Sequence, residues 1–173
     1  MIKQITKQLN ALGIKIKYAP LDNNGFFGIY QDTPIIIIND QLDTLATAIT
    51  LLHESYHFLN GDDTKIISNY RQNSHIEYEA NRFMIHHILL LLDKTYDFTP
   101  LTDYHQIRDS LSLPSCLDYL IYDELYKLIQ TKFGIHDDTD DELYIQEHAT
   151  YITTSADKAP EKQQIFTYLS VIR

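Results

Sequence analysis

The spacing of hydrophobic and polar positions changes several times along the chain, and each change marks an element. Ile2, Ile5, Leu9 and Leu12 recur three or four residues apart, the spacing of a short amphipathic helix that stops near Gly13. Ile14-Lys15-Ile16-Lys17-Tyr18 then alternates strictly, as a half-buried strand does. Asp22-Asn23-Asn24-Gly25 reads as a turn, residues 26–30 as a second strand, and Asp32-Thr33-Pro34 as another turn. Ile35, Ile36, Ile37 and Ile38 follow without a break, so this third strand is apolar on both faces. Asn39 and Asp40 then offer a helix cap.

The helix that follows centres on residues 49–60, ITLLHESYHFLN, and ends at Asn60-Gly61. Leu42, Leu45, Ala46, Ile49 and Tyr56 fall on the side of His53 and His57. Leu51, Phe58 and Leu59 make the other side apolar too, which is the mark of a buried helix. Residues 62–74 are polar and read as a loop, and Ser74 caps a helix over residues 75–92. Counting about 100° per residue from Glu77, its side carries Ala80, Asn81, Met84, Ile88 and Leu91. Glu79 falls opposite, with Arg82 and His86. Leu89 and Leu90 lie off this stripe and need a cover, which the C-terminal region supplies. There, residues 107–111, Pro114 and residues 115–133 read as a short helix, a turn and a longer helix. The acidic run over residues 137–142 is solvated surface, and residues 143–173 are mixed and partly extended. The expected class is therefore α+β: a small three-stranded sheet packed on the histidine-bearing helix, then a glutamate-bearing helix. Residues 1–95 form the core unit, and residues 96–173 a helical extension packed on it.

Composition narrows the function. A chain of 173 residues, 44% hydrophobic, suffices for one real core. Its net charge of −10 argues against direct nucleic-acid binding, which needs clustered Lys and Arg. The single cysteine, Cys116, excludes an internal disulfide and fits a reducing compartment. The start, MIKQITKQLN, lacks the apolar segment of a signal peptide, and the apolar stretch at residues 88–92 is too short to cross a bilayer. These features imply a cytoplasmic protein with no membrane partner.

The chemistry is concentrated in His53-Glu54-Ser55-Tyr56-His57, an H-E-x-x-H pattern. Residues i and i+4 share a helix face with Cβ atoms about 5–6 Å apart, so two imidazoles can bind one ion. Zinc bonds to histidine nitrogen at about 2.0–2.1 Å and suits that pair. Glu54 is turned about 100° from His53 and sits beside the ion, where a carboxylate can take a proton from water. Glu77, in line with an apolar stripe, needs a partner and is the expected third ligand; Glu79 beside Arg82 is a solvated pair. Asn81, one turn on, is a candidate to orient a liganding imidazole. His86 and His87 point in different directions and read as one surface and one core-edge histidine.

Together these residues carry a resemblance. A buried strand, H-E-x-x-H, and Glu77-Tyr78-Glu79-Ala80-Asn81-Arg82-Phe83 about twenty residues later resemble the ImmA/IrrE family of zincin metallopeptidases, whose members pair H-E-x-x-H with E-x-x-A-N-x-F. The resemblance spans residues 13–83. It implies a Zn²⁺ cofactor held by His53, His57 and Glu77, with Glu54 as general base. It also implies a zincin fold and a role beside bacteriophages and other mobile elements, acting on a transcriptional repressor. Met84 stands where the family usually has alanine, and the family's Leu-Leu-Met-Pro helix ending is missing. The expected function is a zinc endopeptidase cutting a specific intracellular protein, such as a phage or mobile-element DNA-binding repressor. The strand preceding the helix would lie near an extended substrate, and Tyr30, Tyr56 and Tyr70 stay open as oxyanion donors. The alternative is a non-cleaving, zinc-containing antirepressor or regulatory binding protein. A complete H-E-x-x-H disfavours it, because a structural zinc has no need of Glu54.

Overall fold

A computed structural model describes residues 2–62 and 70–135. The order is α1 (Ile2–Ala11), β1 (Lys15–Ala19), β2 (Gly25–Tyr30), β3 (Thr33–Asn39), α2 (Thr44–Asn60), α3 (Tyr70–Tyr96), α4 (Tyr104–Ser110) and α5 (Asp118–Phe133). The fold is α+β, with a three-stranded mixed sheet.

The run of isoleucines takes the middle of the sheet. β3 lies between β1, to which it is parallel, and β2, to which it is antiparallel. Ile36 and Ile38 are fully buried in the core they share with Leu51, Leu52 and Ile85, while Ile35 is buried on the other face. The strand before the histidine helix is thus central, and the edge beside that helix is β2. A central strand has both rows of backbone groups paired and none left for a substrate. The β2–β3 turn is Gln31-Asp32, both at positive φ, a hairpin geometry whose twist matches that of the strands. Pro34 therefore lies inside β3, opposite Ile29, rather than in the turn.

Gly25 sets how closely β2 approaches its neighbours. A Cβ there would lie 2.8 Å from both the Ile37 carbonyl oxygen and Thr50 Cγ2. Only a glycine lets the strand settle onto α2 and β3 at that point. Asp43 caps α2, its Oδ1 accepting from the Ala46 N–H at 2.8 Å. Asn39, an expected cap, instead donates through Nδ2 to the Leu21 carbonyl at 2.8 Å and the Asn23 carbonyl at 3.1 Å, tying down the loop between β1 and β2.

α3 begins at Tyr70, so Ser74 lies within it rather than capping it. Its last turns run on to Tyr96. The expected cover for Leu89 is present: Leu89 shares one buried cluster with Leu120, Ile121 and Leu125 of α5 and with Ile107 of α4. The expected acidic run and mixed segment beyond residue 135 lie outside the described residues. No helix among the described residues is long and apolar enough to cross a membrane.

A buried carboxylate links α3 to α5. Glu124 is only 5% exposed and accepts from Arg82 Nε at 2.8 Å and His86 Nδ1 at 2.9 Å, with Lys127 Nζ at 3.3 Å. Arg82 therefore pairs with α5, where the sequence pointed to a solvated pair with Glu79. Burial alone would raise the Glu124 pKa, but the bonds from His86 and Arg82 and the nearby Lys127 charge outweigh it and hold it at about 2. A carboxylate with a lowered folded pKa stabilises the fold fully above its unfolded value, about 4.3, and loses that contribution as the pH falls through about 2. Glu124→Gln should cost about 1–2 kcal/mol near neutrality, since its partners are half exposed. Chemical denaturation from pH 5 downwards should show that difference shrinking towards pH 2; a constant difference would contradict the assignment.

His87, by contrast, is buried, with Nδ1–H donating to the Phe83 carbonyl at 2.8 Å. Burial pushes its pKa down to about 4, so it stays neutral, while His86 is exposed beside it. One surface and one buried histidine match the sequence reading.

Candidate metal centre

α2 is held by its buried residues, with Leu51, Ser55 and Leu59 packed against the sheet and α3. That packing turns His53, Glu54 and His57 toward one edge of the helix, where they are only partly covered. The i, i+4 spacing brings the imidazoles together edge to face, with ring centroids 5.2 Å apart and Nε2 atoms 3.4 Å apart. From α3, Glu77 brings Oε2 to 3.2 Å from His53 Nε2 and Oε1 to 3.7 Å from His57 Nε2. One ligand atom from each of the three residues lies within 4.8 Å of the others. A tetrahedral ion with bonds of about 2.0–2.1 Å holds its ligand atoms about 3.4 Å apart. The observed separations fit that, and two imidazole nitrogens with a carboxylate are a donor set for zinc or a similar divalent ion.

Glu77 is not in the interior, as its stripe implied. It is 55% exposed, with its carboxylate beside the two imidazoles. Glu79 lies elsewhere, near Tyr56 and Arg82.

Glu54 lies beside the cluster. Its Oε2 accepts the Phe27 N–H of β2 at 2.8 Å. Burial raises its pKa above the usual carboxylate range, against the lowering effects of His53, His57 and that N–H. The same bond shows where β2 faces: Phe27 points its N–H away from β3 and toward Glu54 of α2.

A family model described as the IrrE N-terminal-like domain, Peptidase M78, matches residues 9–97. The chain belongs to this family. No curated protein and no solved structure matches it. The M78 match runs from the last turn of α1 to just past α3, so it takes in His53, Glu54, His57 and Glu77 and stops short of α4 and α5. Membership makes this a metallopeptidase domain, in agreement with the likeness carried by H-E-x-x-H and E-x-x-A-N.

Within the M78 domain, the group behind the histidines is not the expected one. Asn81 makes no hydrogen bond to His53 or His57 among the described residues. Asp62 stands there instead, its Oδ2 3.1 Å from His57 Nδ1. The signal for it was present: Asn60-Gly61 ends the helix, and a glycine at that position folds the next residue back over the last turn. The Phe27 contact had no signal, because every residue other than proline has an N–H.

Of the tyrosines left open, Tyr30 is 63% exposed at the end of β2. Tyr56 packs between His57 and Phe83. Burial, then Glu79 and Asp62, push its phenol to about 12, so it stays protonated. The side chain of Tyr70 lies outside the described residues.

Proposed function

We propose that this M78 member is a cytoplasmic, zinc-dependent endopeptidase that cuts one specific protein. The observation that carries the reading is the grouping of His53, His57 and Glu77 within 4.8 Å of one another, with the Glu54 carboxylate beside them. Zinc bound there would lower the pKa of a water molecule and polarise the scissile carbonyl. Glu54 would take the proton from the attacking water and pass it to the leaving nitrogen. An extended substrate pairs with β2, the edge strand that lies against Glu54 of the histidine helix.

Such backbone pairing selects weakly among side chains, so specificity needs a second contact. The region after residue 95 is the candidate for it. The chain's charge of −10 favours a basic partner, and the family resemblance suggests a DNA-binding repressor. The purified protein should carry about one zinc per chain. Co-expression with a DNA-binding repressor from a neighbouring gene, where one is encoded, followed by intact mass of both proteins, should show cuts at one or a few sites. A folded wild type without zinc would overturn the reading. Repressor relieved but uncut, equally by wild type and by Glu54→Gln, would make the protein a non-cleaving antirepressor.

A further inference from the structure

The turn that ends α2 does more than stop a helix. Gly61, at φ 70, reverses the chain, so that its own N–H returns to the Phe58 carbonyl at 3.1 Å and the Asp62 N–H to the His57 carbonyl at 2.9 Å. The reversal sets the Asp62 side chain, 15% exposed, against the last turn of the helix. Both of its oxygens are engaged there. Oδ1 accepts from Asn60 Nδ2 at 2.7 Å, and Oδ2 lies 3.1 Å from His57 Nδ1.

The direction of that second contact decides what His57 can do. A carboxylate only accepts, so the His57 proton belongs on Nδ1, donated to Asp62. Nε2 is then left with its lone pair, and Nε2 is the atom 3.4 Å from His53 Nε2 and 3.7 Å from Glu77 Oε1. His53 differs: its Nδ1 makes no hydrogen bond among the described residues. One of the two imidazoles is held in a metal-ready tautomer and the other is not.

We propose that Asp62 is a positioning residue of the metal centre, acting through His57, and that the Asn60-Gly61-Asp62 turn is built into the site. The proposal rests on the metallopeptidase reading of that site. The capping bonds of the turn come from backbone groups, so the Asp62 carboxylate is not needed to end the helix. It is free to fix the ring orientation of His57, exclude the competing Nε2–H tautomer and raise the basicity of Nε2.

The test uses the full chain and zinc alone, without substrate. Ring ¹⁵N–¹H correlation on metal-free protein, at a pH where both imidazoles are neutral, reads the tautomers of His53 and His57 separately. Competition with a chromophoric chelator reads zinc affinity. Wild-type His57 should be protonated on Nδ1. In Asp62→Ala it should shift to the Nε2–H form while His53 is unchanged, and zinc affinity should fall about 10–100-fold. Asp62→Asn, which can still accept from Nδ1, should keep the tautomer and lose less zinc affinity.

An unchanged His57 tautomer in Asp62→Ala, or zinc affinity within twofold of wild type, would overturn the proposal. So would equal changes at both histidines, which would mean general loosening of the helix end. Should Asp62→Ala not fold, Asp62→Asn with zinc affinity equal to wild type would overturn it. A wild type that takes up no zinc would instead overturn the metallopeptidase reading itself.

Discussion

Glu54→Gln should abolish cleavage of the partner and leave the zinc in place. Glutamine has the shape of glutamate, and its side-chain oxygen can still accept the Phe27 N–H that now holds Oε2 at 2.8 Å. It cannot accept a proton from water. General base catalysis contributes about 10²–10⁴-fold, or roughly 3–5 kcal/mol of barrier. Metal content should not follow the activity down, because the group that can hold an ion is His53, His57 and Glu77, without Glu54. Zinc analysis of both purified proteins, set beside intact mass after co-expression, separates the two effects. Loss of zinc together with cleavage would make Glu54 a ligand, and cleavage kept within tenfold would remove it from the chemistry.

The site was more legible in the sequence than the way it is framed. His53 and His57 needed only the helical repeat, which places i and i+4 together whatever the surroundings. The strands were visible by alternation and by the isoleucine run. Their order in the sheet was not, because any of the three can occupy the centre on local pattern alone; that left β3 standing where β2 is the exposed edge. Asn39, Asp40 and Asp43 can all cap a helix, and only tertiary demand on Asn39 from the loop between β1 and β2 separates them. The start of α3 was hidden because its first turns are polar, with no apolar stripe to register. For Glu77 the helical face was right and the depth wrong. Ala80, Met84 and Ile88 on that stripe are buried, but the stripe leaves the core before it reaches Glu77. A periodicity reports direction around an axis and carries no information on where along the axis the core ends.

That exposure makes Glu77 a clean place to test the metal. Glu77→Ala should weaken zinc binding by more than the roughly 10–100-fold that follows loss of a group behind a ligand, whereas Glu79→Ala should stay within a few-fold of wild type. Glu77 supplies oxygens at 3.2 and 3.7 Å from the two imidazole nitrogens, while Glu79 lies by Tyr56 and Arg82. Glu77 is more than half exposed, so truncating it removes little packing and the metal-free variants should melt close to metal-free wild type. Zinc that binds only the folded chain raises stability by RT ln(1 + [Zn]/Kd). Thermal melts with and without added zinc therefore measure the ligand directly: a large upward shift for wild type and Glu79→Ala, and a much smaller one for Glu77→Ala. Equal shifts in the two variants, or the reverse order, would move the third ligand off Glu77. Equal chelator-competition constants would say the same by an independent route, since they do not depend on the fold melting in two states.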